Sequence, residues 1–181
     1  MKKLVLYFKL NILIIIILTH KNAMAYEEPP FNIVHQNDVY EIRHYIDRLA
    51  VQANNTTQNS SFRILFNYIS GENINSEKIK MTVPVTLSEE NSETVMQFYL
   101  PSKFTKKTAP VPTDSSIELI TIKEGYYAVM KYSGRITNKN FAKHQKILRE
   151  SLIEDKIKIM GPPIRAFYNG PFTLPIFRRN E

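Results

Sequence analysis

The sequence predicts an α+β domain: a strand-helix-strand-strand unit, used twice, forms a distorted antiparallel β-barrel flanked by two helices. Three observations carry that expectation. Short segments alternate apolar and polar residues at the strand period, two longer segments repeat apolar residues at the helical period, and two peptides recur in order in both halves. KIKMTVPV from Lys78 returns as KIKIMGPPI from Lys156, and FYLP from Phe98 as FYNGP from Phe167, at offsets of 78 and 69 residues. A shorter second hairpin accounts for the difference. The duplication implies two facing four-stranded sheets, one helix packed on each, and a ligand-sized groove between helix and sheet.

The elements follow in chain order. Residues 1–25 read as a secretory signal peptide: Lys2 and Lys3 precede the apolar run 12–18, and Ala23-Met24-Ala25 is the small-x-small pattern before a cleavage point. The run is far shorter than the ~20 residues of a spanning helix, so no transmembrane span is expected after cleavage. Residues 26–181 then make one domain. Residues 39–51 alternate as a strand, with Tyr40, Ile42, His44 and Ile46 on one face and Glu41, Arg43 and Tyr45 on the other. The phase slips at Asp47-Arg48, which predicts a bulge or bend.

A polar loop over 54–60 leads to a helix capped by Ser60 or Ser61. Phe62, Leu65, Phe66 and Ile69 form its apolar face, and Gly71 ends it. Residues 78–87 are β-branched and strand-like, with Pro84 confined to an edge or bulge. A turn over 88–92 leads to an antiparallel partner at 95–100, and the Pro-rich passage 101–112 crosses the surface. Residues 117–122 and 126–132, with Gly125 between them, read as a hairpin. Thr137 caps a second helix running through Phe141, Leu148 and Leu152 to about Asp155, and a strand pair follows.

Composition narrows the function. Of the 181 residues 43% are hydrophobic, enough for one cored domain. The formal net charge is +7, and loss of Lys2, Lys3, Lys9 and Lys21 with the leader leaves about +3. Lys and Arg are scattered among Glu and Asp, so no basic stripe marks a nucleic-acid partner. The absence of cysteine excludes disulfides, a thiolate zinc site, a cysteine nucleophile and covalent haem attachment. The motifs of hydrolases, phosphate-binding loops and zinc proteases are missing, and Glu89-Glu90 and Glu154-Asp155 fall where solvated charge is expected. Binding rather than catalysis is expected.

Three histidines follow the leader. His35 sits in a polar context, and His144 borders the apolar stripe of the second helix. His44, on an otherwise apolar strand face, needs a partner for its ring nitrogens and reads as a hydrogen-bonded structural residue or as a metal ligand. Tyr40 and Tyr45 read first as packing residues.

Taken together, YEIRHY at Tyr40, FRILFNYISGEN at Phe62, KIKMTVPVT at Lys78, FYLPSKF at Phe98, YSGR at Tyr132, AFYNGPF at Ala166 and RRNE at Arg178 resemble the SOUL haem-binding protein family. The resemblance spans nearly all of the chain after the leader. It implies the duplicated barrel and non-covalent haem or a related tetrapyrrole as ligand, with His44 as an axial ligand to haem iron. Tyr40, Ile42, Phe62 and Phe66 would pack against the porphyrin, and Arg63, Lys78 and Lys80 are charge-based choices for its propionates, Asn67 standing where a lysine would serve. Met81 or Met130 would be the other axial candidates. The expected role is reversible haem carriage or buffering by a monomer in an exported compartment, the periplasm. The other reading keeps the fold and makes the groove a site for a different small molecule or a protein.

Overall fold

The computed structural model describes residues 26–55, 58–90 and 93–181; the expected leader and its cleavage point lie outside them. In chain order the elements are β1 (Phe31–Gln36), β2 (Glu41–Tyr45), β3 (Arg48–Asn55), α1 (Gln58–Ser70), β4 (Val85–Glu90), β5 (Glu93–Tyr99), β6 (Ile117–Ile122), β7 (Gly125–Val129), α2 (Asn138–Glu154) and β8 (Arg165–Phe167), with a 3-10 turn at Pro175–Phe177. The strands form a three-stranded sheet, β1-β2-β7, and a five-stranded sheet, β6-β3-β5-β4-β8, with every ladder antiparallel.

The α+β class and antiparallel sheets hold, but among the described residues the expected distorted barrel is not closed, and the sheets divide three and five instead of four and four. The expected bend at Asp47-Arg48 is the point where the chain leaves one sheet for the other. Residues 117–129 do the same: β6 pairs with β3 and β7 with β2, so the expected hairpin between them is absent. Alternation reports which residues share a face and is silent about the partner strand. Both crossings are fastened at one corner, where Asp47 accepts from Lys123 Nζ at 3.0 Å and from the Glu124 amide at 2.8 Å.

The C-terminal segment links the sheets. Asn180 bridges both Tyr132 and Phe167, and Ala166 and Glu181 exchange backbone hydrogen bonds of 2.9 and 3.1 Å. Asn180 thus lies between Tyr132, ahead of α2, and Phe167 of β8 after it, much as β5 lies between β3 and β4 around α1.

The main core lies between α1 and the five-stranded sheet, where Leu65, Tyr68 and Ile69 meet Val51, Leu87, Met96 and Phe98. The buried stripe of α1 is therefore rotated from the expected one: Phe62 and Phe66 are 43% and 48% exposed and stack on each other, and Phe62 also packs edge-on against Phe98. Gly71, with φ of +118°, ends the helix as expected. Residues 78–84 form no ladder apart from a bridge at Thr82, so Pro84 sits immediately before β4, where its missing N–H costs no ladder bond. β1 carries five exposed residues out of six, Ile33 and Val34 among them, and was not anticipated from the sequence.

α2 is placed differently from α1. Thr137 caps it as expected, accepting from the Asn140 amide at 3.2 Å. Only Leu152 on this 17-residue helix is buried, because α2 roofs a cavity instead of lying flat on a sheet.

Candidate functional site

The cavity has a volume of about 660 Å³, within the range of small-molecule sites. Its roof is α2, through Phe141, His144, Leu148 and Leu152, together with the loop Ile157 to Ile164. Opposite lie Ile42, Tyr45, Arg48, Tyr99, Tyr127, Met130, Tyr168 and Glu181, from β2, β3, β5, β7 and the last segment of the chain. The lining is largely aliphatic and aromatic, with a few polar groups on the strand side.

Those polar groups form a buried network. Arg43 has no exposed surface. Its Nε donates to Glu41 at 2.8 Å, its Nη1 to the Tyr45 hydroxyl at 3.3 Å and to Glu181 at 2.9 Å, and its Nη2 to Glu181 at 3.0 Å. Glu181 also accepts from the Tyr168 hydroxyl at 2.6 Å and from Arg179 Nε at 2.9 Å. Arg179 reaches Glu28 with its two other nitrogens, and Lys131 donates to Glu41 at 2.7 Å. Burial works against charge on Glu181, but hydrogen bonds from Arg43 and Tyr168 outweigh it and hold its pKa below the usual carboxylate value. Burial likewise opposes charge on Arg43, and the bonds to Glu181 and Tyr45 reverse the effect, so its pKa is raised.

Arg48 is the exception. It is 9% exposed and framed by three tyrosine rings, its guanidinium carbon 4.3 Å from the centroid of Tyr45, 4.9 Å from Tyr127 and 5.3 Å from Tyr99. One nitrogen, Nη1, donates to the Tyr99 hydroxyl at 3.5 Å, while Nε and Nη2 are buried and reach no acceptor among the described residues.

On the roof, His144 stacks on Tyr132 with ring centroids 4.2 Å apart, and its Nδ1 lies 2.8 Å from the Asn140 carbonyl oxygen. A carbonyl only accepts, so Nδ1 carries a proton, and in the neutral ring the lone pair is on Nε2. A metal-binding imidazole is commonly held in this tautomer by the same kind of bond.

The residues expected from the sequence are spread over the fold. Ile42 and Met130 line the cavity, as does Tyr45. His44 does not: it is half-buried in the middle of the three-stranded sheet, opposite Asn32 and Tyr126, with its ring 4.7 Å from that of Tyr126. Tyr40 is buried, and its hydroxyl donates to the Asp155 carboxylate just after α2. Phe62, Phe66 and the exposed Arg63 lie on α1 and are not part of the cavity lining, and neither are the exposed Lys78 and Lys80. Met81 packs against the main core. No group of three or more His, Cys, Asp or Glu side chains suited to a metal occurs among the described residues.

Sequence reasoning did not single out Arg43, Arg48, Tyr168, Glu181 or His144 as site residues. Glu41, Arg43 and Tyr45 were legible as one strand face, but nothing local marks that face as buried. Their partner is the C-terminal RRNE peptide, more than 130 residues away in the chain. No local pattern announces such a pairing.

With the geometry in place, comparisons with known proteins are informative. The model of a family described as SOUL heme-binding protein matches residues 26–181. Among solved structures the chain is similar to the C-terminal domain of EcmrR, with a TM-score of 0.57 and 10% identity, covering 78% of this chain and 93% of that one. It is also similar to EcmrR in an EcmrR-DNA complex, with a TM-score of 0.56 and 12% identity, covering 78% of this chain and 54% of that one. At such identities the likeness is one of fold. The comparison with curated proteins gives no match.

Proposed function

The chain belongs to the SOUL heme-binding protein family over residues 26–181, and from that premise we propose that it binds haem or a related tetrapyrrole non-covalently in the cavity beneath α2. The observation that carries this reading is the cavity itself: about 660 Å³, lined by Ile42, Leu148, Leu152 and several tyrosines, with His144 on its roof. Burial of a porphyrin's apolar faces there would contribute about 25 cal/mol per Å² before ordering costs.

When bound, haem supplies an iron centre that accepts axial donors. His144, with its proton fixed on Nδ1, offers Nε2 as such a donor, and Met130 is a second side chain on the lining. His44 is the alternative donor that the YEIRHY resemblance suggests, and it would act from the three-stranded sheet, with Phe62 and Phe66 serving a site other than the cavity. A single imidazole ligand suits reversible carriage or buffering. The leader-like residues 1–25 support export, and with it a periplasmic role. The similar placement of Asn180 around α2 and of β5 around α1 supports an internal duplication.

The test is a haemin titration of residues 26–181, followed through the Soret region, for the parent, His144→Ala and His44→Ala. The cavity reading expects saturable one-to-one binding with a Soret band altered by His144→Ala and unaffected by His44→Ala. The opposite pattern would move the ligand to the three-stranded sheet. No saturable shift in the parent would sink the haem reading.

A further inference from the structure

Beneath the exposed Arg149 and Lys158 of the cavity lining, the ion pairs on its strand side are nearly balanced. Four cations, Arg43, Arg48, Arg179 and Lys131, share the region with three carboxylates, Glu28, Glu41 and Glu181, and every member but Arg48 has a partner of opposite charge. An uncompensated guanidinium nine-tenths removed from solvent is costly, and tyrosine faces repay only part of the loss. The two nitrogens without an acceptor are Nε and Nη2, which lie along one edge of the guanidinium plane. That edge presents two parallel N–H groups at the spacing of the two oxygens of a carboxylate.

We propose that Arg48 receives the carboxylate of an otherwise apolar ligand at the strand side of the cavity, so that the ligand enters with its acidic group innermost. The inference rests on the reading of this cavity as the ligand site and specifies the chemistry of what enters. A single carboxylate matches the one buried cation without an acceptor among the described residues, and since Nε and Nη2 expose no surface, the rings of Tyr45, Tyr99 and Tyr127 must part to admit its oxygens. The aliphatic roof of α2 then covers the apolar body. Glu181 does not oppose this anion as a free charge, because Arg43 and Arg179 already neutralise it. Both a tetrapyrrole propionate and a long-chain fatty acid carry this chemistry. In either case the acid group sits at the base of the cavity instead of at its rim, where propionates would otherwise pair with surface lysines.

The experiment compares acids with their esters on residues 26–181. Metal-free protoporphyrin IX and its dimethyl ester, and oleic acid and methyl oleate, are titrated by tyrosine fluorescence, since the chain has no tryptophan, and by porphyrin fluorescence. The parent should bind at least one acid about 10- to 100-fold more tightly than its ester, the range for a charge-assisted hydrogen-bonded pair. Arg48→Met should abolish that preference, and Arg48→Lys should retain part of it. A preference for oleic acid over methyl oleate, with no saturable binding of protoporphyrin, upholds the proposal while removing the tetrapyrrole reading. Equal binding of each acid and its ester by the parent overturns the proposal, and saturable binding of protoporphyrin then leaves the tetrapyrrole reading standing. Failure of both acids to saturate the protein overturns it too. The acid-to-ester comparison in the parent needs no variant to fold.

Discussion

Replacing Arg43 with methionine should destabilise the domain by about 3 kcal/mol. The side chain has no exposed surface and makes four hydrogen bonds, to Glu41, Tyr45 and Glu181. Removing one member of a buried ion pair typically costs about 3–5 kcal/mol, chiefly because the other charge is left uncompensated. Here the carboxylates keep other partners: Glu181 retains Tyr168 at 2.6 Å and Arg179 at 2.9 Å, and Glu41 retains Lys131 at 2.7 Å. That places the cost at the lower end, and methionine refills much of the aliphatic volume. In a domain of this size about 3 kcal/mol corresponds to a fall in Tm of roughly 6–12 °C. Urea denaturation of the parent, Arg43→Met, Glu181→Gln and the double variant measures both the cost and the coupling. The double variant should be less destabilised than the sum of the two single ones, since both remove the same bonds. Lys103→Met serves as a control: its pair with Glu77 is exposed and should be worth about 0.5 kcal/mol or less. A loss below about 1 kcal/mol for Arg43→Met, or strict additivity in the double variant, would refute the view that Arg43 fastens the C-terminal segment between the sheets.

Acid should weaken the fold through the same network. Glu181 and Glu41 have folded pKa values below the ordinary 4.5, so their contribution is present above about pH 4.5 and is lost as the pH falls through the folded values; urea midpoints from pH 7 to 3 should show this slope, and Glu181→Gln should flatten it. Gly134, with φ of +112°, would place an added Cβ 2.8 Å from Asn140 Nδ2, the group that ties the Ser133 and Arg135 carbonyls to the start of α2. Gly134→Ala should therefore cost about 1–2 kcal/mol and loosen the cavity roof, which hydrogen exchange of the α2 amides would report; unchanged protection would contradict it. On α1, Leu65→Ala should cost about 2–5 kcal/mol because the side chain is fully buried, and Phe62→Ala less than half as much; equal losses in thermal melts would argue against the observed rotation of the helix.

Local signals in the sequence determined the α+β class, both helices, the Thr137 cap, the Gly71 stop and most strands, because periodicity, capping and turn chemistry act within a few residues. The bend at Asp47-Arg48 was legible for the same reason. What lay beyond the sequence was partnership. Alternation in residues 117–132 reads the same whether the two strands pair with each other or, as here, with β3 and β2 in separate sheets. The site was hidden by the same limit. YEIRHY drew attention to His44, the histidine among apolar neighbours, while the buried ion pairs of that strand lie on its other face, where Arg43 meets Glu181. A buried charge and a solvated charge look alike in one dimension. Only the tertiary structure, by bringing β2 and the RRNE peptide together and leaving Arg48 among three tyrosines, decided which charges are paired and which one lacks a carboxylate among the described residues.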